Sequence, residues 1–327
     1  MKTAMLLIIL FGLMSPPASP PALADRCDAE MDTTQSRRAP ANNPTLSTPG
    51  TANKMFWDNF YAGRYYMLPA IIEQLTASYL KNPQDKQTAL LLALSHLWRI
   101  GESARLKCVP QTFLDDFIIA RQYFEKALLL DPNDYRVHGF RASTLFALGR
   151  IHQTPEWIAQ SIADMRTSID LYPEFNYFTV SFVTLNLQPS DPLFQQGVED
   201  MWLGIDACLG EPIDRHNPDY TKFMWMQTRT GVKRVCWNND KAPHGHEGFF
   251  LGFGDMLVKN NQPEIAKIIY ANAKLSPVYT AWPYKDVLEQ RIATANQRAA
   301  LYLGTNQTRY PRTLISEPFA CMACHQK

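Results

Sequence analysis

The strongest constraint on the fold of this chain is a spacing of small and aromatic residues between Ala120 and Pro132. In Ala120-Arg-Gln-Tyr-Phe124-Glu-Lys-Ala127-Leu-Leu-Leu-Asp-Pro132, an aromatic follows a small residue at four positions, a second small residue follows at three, and proline at five. The first three of these positions share one face of a helix. Small side chains there let a second helix approach closely, the ring fills the gap, and Asp-Pro ends the helix. The frame returns with weaker residues at Ser161, Met165, Ser168 and Pro173, and again at Gly197, Met201 and Gly204. It is most complete near the end, where Phe250, Phe253, Gly254 and Leu257 occupy a first helix and Ala266, Tyr270 and Ala273 a second. An early unit ending at Pro83 fits poorly, with Leu75 and Ser78 in the key places.

Over roughly residues 65–282 this pattern resembles the tetratricopeptide repeat superfamily. The resemblance implies an all-α fold: a right-handed superhelix of antiparallel helix pairs whose concave face docks a partner protein or peptide. The repetition is irregular, because Pro83, Pro132 and Pro173 stand further apart than a unit of about 34 residues requires. Extra loop is expected near 100–110 and 151–157. A longer insertion, about 210–243, is rich in Pro, Asn, Asp and Trp. A loop of that length inside a compact domain is usually functional or separately braced. Residues 283–300 form an amphipathic helix polar enough to cap a solenoid. The expected organisation is a leader at 1–24, an extended arm at 25–55, a helical repeat domain at 56–300 and a tail at 301–327.

The leader is read from Lys2, an almost unbroken apolar run from Met5 to Met14, and Ala22-Leu23-Ala24 before Asp25. These are the parts of a secretory signal peptide with an A-x-A cleavage site. The apolar run is too short for a bilayer span of about 20 residues. The expectation is therefore a protein exported to a bacterial periplasm, not integral to a membrane, in a compartment that permits disulfides. The chain has 32 basic and 31 acidic residues, and loss of Lys2 with the leader leaves it formally neutral. A neutral chain lacks the basic surface that general nucleic-acid binding needs.

The chemistry is concentrated in Cys321-Met322-Ala323-Cys324-His325, near the C-terminus. Cys-x-x-Cys-His is the c-type haem attachment signature. Two thiols form thioethers with adjacent pyrroles, and the next imidazole lies under the iron. One covalent haem c is expected on Cys321 and Cys324, with His325 as the proximal iron ligand. Only Gln326 and Lys327 follow, so a sixth ligand must come from earlier in the chain. The candidates are His244 and His246 in Pro243-His244-Gly245-His246-Glu247-Gly248, with His246 favoured as nearer the following helix. Met224, Met226 and Met256 are alternatives, and a five-coordinate haem is another. Glu247 also suits a helix start, where the dipole favours an acid.

The other cysteines, Cys27, Cys108, Cys208 and Cys236, allow three pairings. Cys208–Cys236 would staple the insertion to the helix before it, and Cys27–Cys108 would tie the arm to the first repeat insertion. The leading functional expectation is a periplasmic electron-transfer haem protein whose helical scaffold docks a redox partner. A second reading is a non-redox adaptor in which Cys321–Cys324 is a disulfide or metal clip. A zinc site completed by His244 and His246 belongs with it, and a metalloenzyme using His244, His246 and Glu247 is a third. No H-E-x-x-H or G-x-S-x-G motif occurs, so an electron carrier or binding protein is expected rather than an enzyme.

Overall fold

The computed structural model describes residues 49–102, 112–185, 187–224, 230–236, 246–304 and 322–326. The leader, most of the arm, Cys27, Cys108, Met226, His244 and Cys321 lie outside the described residues. The fold class is all-α: among the described residues there are twelve α-helices and no strand. In chain order they are α1 (Pro49–Tyr61), α2 (Leu68–Lys81), α3 (Lys86–Gly101), α4 (Phe113–Leu130), α5 (Tyr135–Ile151) and α6 (Pro155–Leu171). There follow α7 (Pro173–Thr184), α8 (Pro192–Leu209), α9 (His246–Lys259), α10 (Pro263–Asn272), α11 (Lys285–Leu303) and the single turn α12 (Met322–His325).

The helices pack in consecutive pairs: α3 with α4, α5 with α6, α7 with α8, and α9 with α10. Local sequence sets their limits. Pro155, Pro173, Pro192 and Pro263 each stand at the first position of a helix, where the missing N–H costs nothing. The Asp85 and Asp191 side chains accept the Gln87 and Leu193 N–H groups and cap α3 and α8. Gly210, at φ +80°, ends α8 in the left-handed region and donates its N–H to Asp206.

The repeating frame lies where the helices meet. Ala120, Phe124 and Ala127 are buried on α4, and Ser161, Met165 and Ser168 on α6. Met201 is buried on α8, and Ala266, Tyr270 and Ala273 on and just after α10. The weak early unit behaves in the same way, with Leu75 and Ser78 fully buried on α2. Gly254 shows the constraint most sharply. A Cβ there would lie 2.2 Å from Cε1 of Tyr270. The Tyr270 hydroxyl donates to Asp255 at 2.7 Å, and the fully buried Asp255 also meets Arg291 at 3.2 Å and Arg298 at 3.7 Å. One carboxylate therefore joins α9, α10 and α11. Pairing of this kind fixes an arrangement more than it adds stability.

Two boundaries differ from expectation. The segment 49–55, expected to be extended arm, is the start of α1. Pro49 opens that helix, and Ala52 and Phe56 bury one face of it, so a helix is favoured over an extended chain. At the other end, α11 continues to Leu303, three residues past the expected limit, and stops before Gly304.

The described parts of the insertion are braced. Asn272 at the end of α10 donates to the Pro218 carbonyl at 2.7 Å and accepts the Tyr220 N–H at 3.1 Å. The Tyr172 hydroxyl donates to the Val232 carbonyl at 2.7 Å. Cys208 and Cys236 form the expected disulfide, with Cα atoms 5.5 Å apart and a sequence separation of 28.

Two outcomes follow for stability. Gly254→Ala forces the Tyr270 ring away from its seat and should cost about 1–3 kcal/mol. This is read as a lower denaturant midpoint at an unchanged slope. Replacing Cys208 and Cys236 together by Ala should cost about 3 kcal/mol through loop-closure entropy. A double variant with the wild-type midpoint would refute that role.

Candidate functional site

The C-terminal turn is seated on the helical array, and its seat is assembled from both ends of the chain. Helix α12 packs against α9 and also against α1. Gly248, in the first turn of α9, makes the closest approach. A Cβ added there would lie 2.1 Å from the Ala323 carbonyl oxygen and 2.5 Å from Cα of Cys324. Both clashing atoms are backbone, so only glycine allows the turn to dock this way.

Polar contacts fix the turn along its length. The Trp282 indole N–H donates to the Ala323 carbonyl at 3.2 Å. The Tyr284 hydroxyl donates to the Gln326 side-chain carbonyl at 2.5 Å. Gly63, at φ +62° in the loop after α1, lies against the same amide. On the α1 side, the Phe60 ring lies 4.7 Å from the His325 ring. Phe60 is itself held edge-on by Trp98 at 4.8 Å and stacked on Phe56 at 5.3 Å.

The seat encloses two reactive groups. Cys324 is 5% exposed and carries a free thiol. Burial first, and the nearby charge of Glu247 second, push its pKa up to about 12, so the group is a neutral thiol at physiological pH. Glu247 is 2% exposed, and its Oε1 has no hydrogen-bond partner among the described residues.

The structure thus brings Cys324 and His325 against the first turn of α9, the turn that begins with His246. The position of Cys321 and that of His244 lie outside the described residues. Of the alternative iron ligands, Met224 and Met256 are buried in the main apolar core, where they serve packing. His96 is buried, with Nδ1 2.6 Å from Asp116. Among the described residues no group of three or more His, Cys, Asp or Glu side chains is arranged to hold a metal ion.

Sequence reasoning did not identify Phe60, Gly63, Gly248, Trp282 or Tyr284 as parts of this site. Gly248 carried a local signal, as a glycine following His-Gly-His-Glu at a helix start. The others act only through long-range contact, which spacing along the chain does not reveal.

Elsewhere, a polar cleft lies where α3 and α5 begin and where α6 passes into α7. Lys86, Asp131, Asp134, Arg136, Tyr172 and Arg234 line it. Lys86 pairs with Asp131 and Arg136 with Asp134, so opposite charges alternate along its wall.

Comparison with family models, with curated proteins and with solved structures finds no match to this chain.

The enclosure of Cys324 has a direct consequence. In protein made with this thiol unmodified, iodoacetamide should label Cys324 only after denaturant is added. Gly248→Val should displace the turn and allow labelling in buffer, read by peptide mass at unchanged helical circular dichroism. Equal labelling of native and denatured wild-type protein would show that the turn is not seated.

Proposed function

We propose that this chain is a periplasmic c-type haem protein that transfers electrons, built on a tetratricopeptide-type helical scaffold that docks a partner protein. The observation that carries the reading is the built seat around a Cys-x-x-Cys-His sequence. A short tail motif with no role has no reason to be received by two glycines, an indole donor and an aromatic cluster.

The residues fit the group. The last residues of the motif form one helical turn, and on a helix positions i, i+3 and i+4 share a side. Cys321, Cys324 and His325 have that spacing. An enclosed thiol lies on Gly248, whose chain neighbour Glu247 has a buried oxygen without a hydrogen bond among the described residues, and buried polar atoms of this kind call for a partner. Cys321 and Cys324 would hold the porphyrin: each sulfur bonds to a vinyl carbon, the thiol hydrogen goes to the other vinyl carbon, and no atom leaves. His325 would ligate iron, with its ring placed by Phe60. His246, or His244, is the proposed sixth ligand, since α9 begins beside the turn. Bound there, a haem supplies one-electron exchange between ferric and ferrous iron.

Because the folded chain encloses Cys324, attachment of a haem to its sulfur would precede docking of the turn. Trp282, Tyr284 and Gly248 then hold the turn on α9 and keep water from the sulfur. The partner is a periplasmic redox protein docking on the concave face of the paired helices. The alternating charges of the cleft near α3, α5 and α7 suit a polar, reversible contact. Export by a cleaved leader and a Cys27–Cys108 disulfide belong to the same proposal.

One observation favours a second reading. Protein contacts alone already seat the turn, as they would if Cys321 and Cys324 formed a disulfide or metal clip fastening the tail of a non-redox adaptor.

The two readings separate on co-expression with cytochrome c maturation functions. The haem reading predicts a visible spectrum that survives acid-acetone extraction and is lost in Cys321→Ser/Cys324→Ser. His325→Ala should keep the covalent haem and change its ligation bands. A colourless wild-type chain after successful maturation of a control cytochrome would sink the haem reading and favour the clip.

A further inference from the structure

Beside the seat of the C-terminal turn is a buried carboxylate with one oxygen that accepts no hydrogen bond among the described residues. Glu247 is buried in the first turn of α9, and its Oε1 accepts no hydrogen bond among the described residues. The other buried carboxylate of α9 is treated differently. Asp255, about two turns further along the same helix, is met by Tyr270, Arg291 and Arg298. The fold therefore supplies countercharge to one acid on this helix and withholds hydrogen bonding from an oxygen of the other. A buried carboxylate oxygen without a hydrogen bond is costly, and a positive group beside it would offset that cost.

Its place identifies that group. Glu247 adjoins Gly248, the residue in backbone contact with Ala323 and Cys324. We propose that Glu247 is the charge partner of the haem iron: a fixed anion beside the attachment turn that stabilises the ferric over the ferrous state. This rests on the reading in which Cys321, Cys324 and His325 hold the haem.

The sign follows from charge counting. A porphyrin dianion with ferric iron carries one net positive charge, and with ferrous iron it carries none. A nearby anion in a site of low dielectric attracts the first and not the second, so it lowers the reduction potential. Glu247 does this through its field, without touching the electron-transfer partner.

The test is an optical redox titration of matured wild-type protein beside Glu247→Gln, which keeps the shape and removes the charge. Glu156→Gln, at an exposed carboxylate of α6, is the control. The expected result is a higher midpoint in Glu247→Gln alone. The ferrous-to-ferric ratio at fixed potential should change at least tenfold, about 59 mV for one electron, with absorption bands in place. Glu247→Asp, which keeps the charge, should stay close to wild type. If Glu247→Gln does not mature, Glu247→Asn is compared with Glu247→Asp.

A midpoint equal to wild type in a haem-loaded neutral variant overturns the role of Glu247 and leaves the haem reading intact. Displaced absorption bands would make Glu247 an iron ligand and overturn the proposal as stated. Absence of covalent haem from the wild type overturns both.

Discussion

Close approach at positions without a side chain holds this array together. At Gly254 the Tyr270 ring occupies the volume a Cβ would take, and at Gly139 the Asn176 side chain does the same at 2.2 Å. Gly248 applies the same device to the C-terminal turn, with the Ala323 carbonyl at 2.1 Å. Helix pairs come together because small residues admit large ones, and the motif docks because a small residue admits its backbone. Fold and candidate site therefore share one constraint. Their tolerance differs: a ring displaced from Gly254 disturbs the packing of α9 on α10, whereas a turn displaced from Gly248 uncovers Cys324.

Around these contacts the array is fastened at its margins. Asp255 joins three successive helices with one buried carboxylate. The Cys208–Cys236 disulfide and Asn272 hold the insertion against α8 and α10. The turn α12 joins α9 to α1, and so links the late part of the chain to its first described helix. A covalent group on this turn would be held by the scaffold and not displayed on a free tail.

The parts legible in the sequence were those set by local spacing. The helical class followed from the small–aromatic–small frame and the resemblance it carries, and so did the residues that meet between helices. Even the poor unit at Leu75 and Ser78 is buried as that frame requires. Cys208–Cys236 was the favoured one of three possible pairings, as a staple of the insertion to the helix before it, and it forms. The start of α1 was not legible, because Pro, Thr and Asn near residue 50 resemble the polar arm preceding them, and only burial of Ala52 and Phe56 shows the helix. The seat of the turn was the least legible part. Phe60, Gly248, Trp282 and Tyr284 are spread across the chain, and tertiary packing alone brings them to Ala323, His325 and Gln326.

The haem proposal puts iron where the seated turn meets α1 and the first turn of α9. Crystals of the matured protein, measured at the iron absorption edge, test it most directly. The account predicts one anomalous peak bonded to His325, with continuous density from Cys321 and Cys324 to a porphyrin and the turn still against Gly248. A map without iron, or with iron on a tail detached from α9, would contradict it.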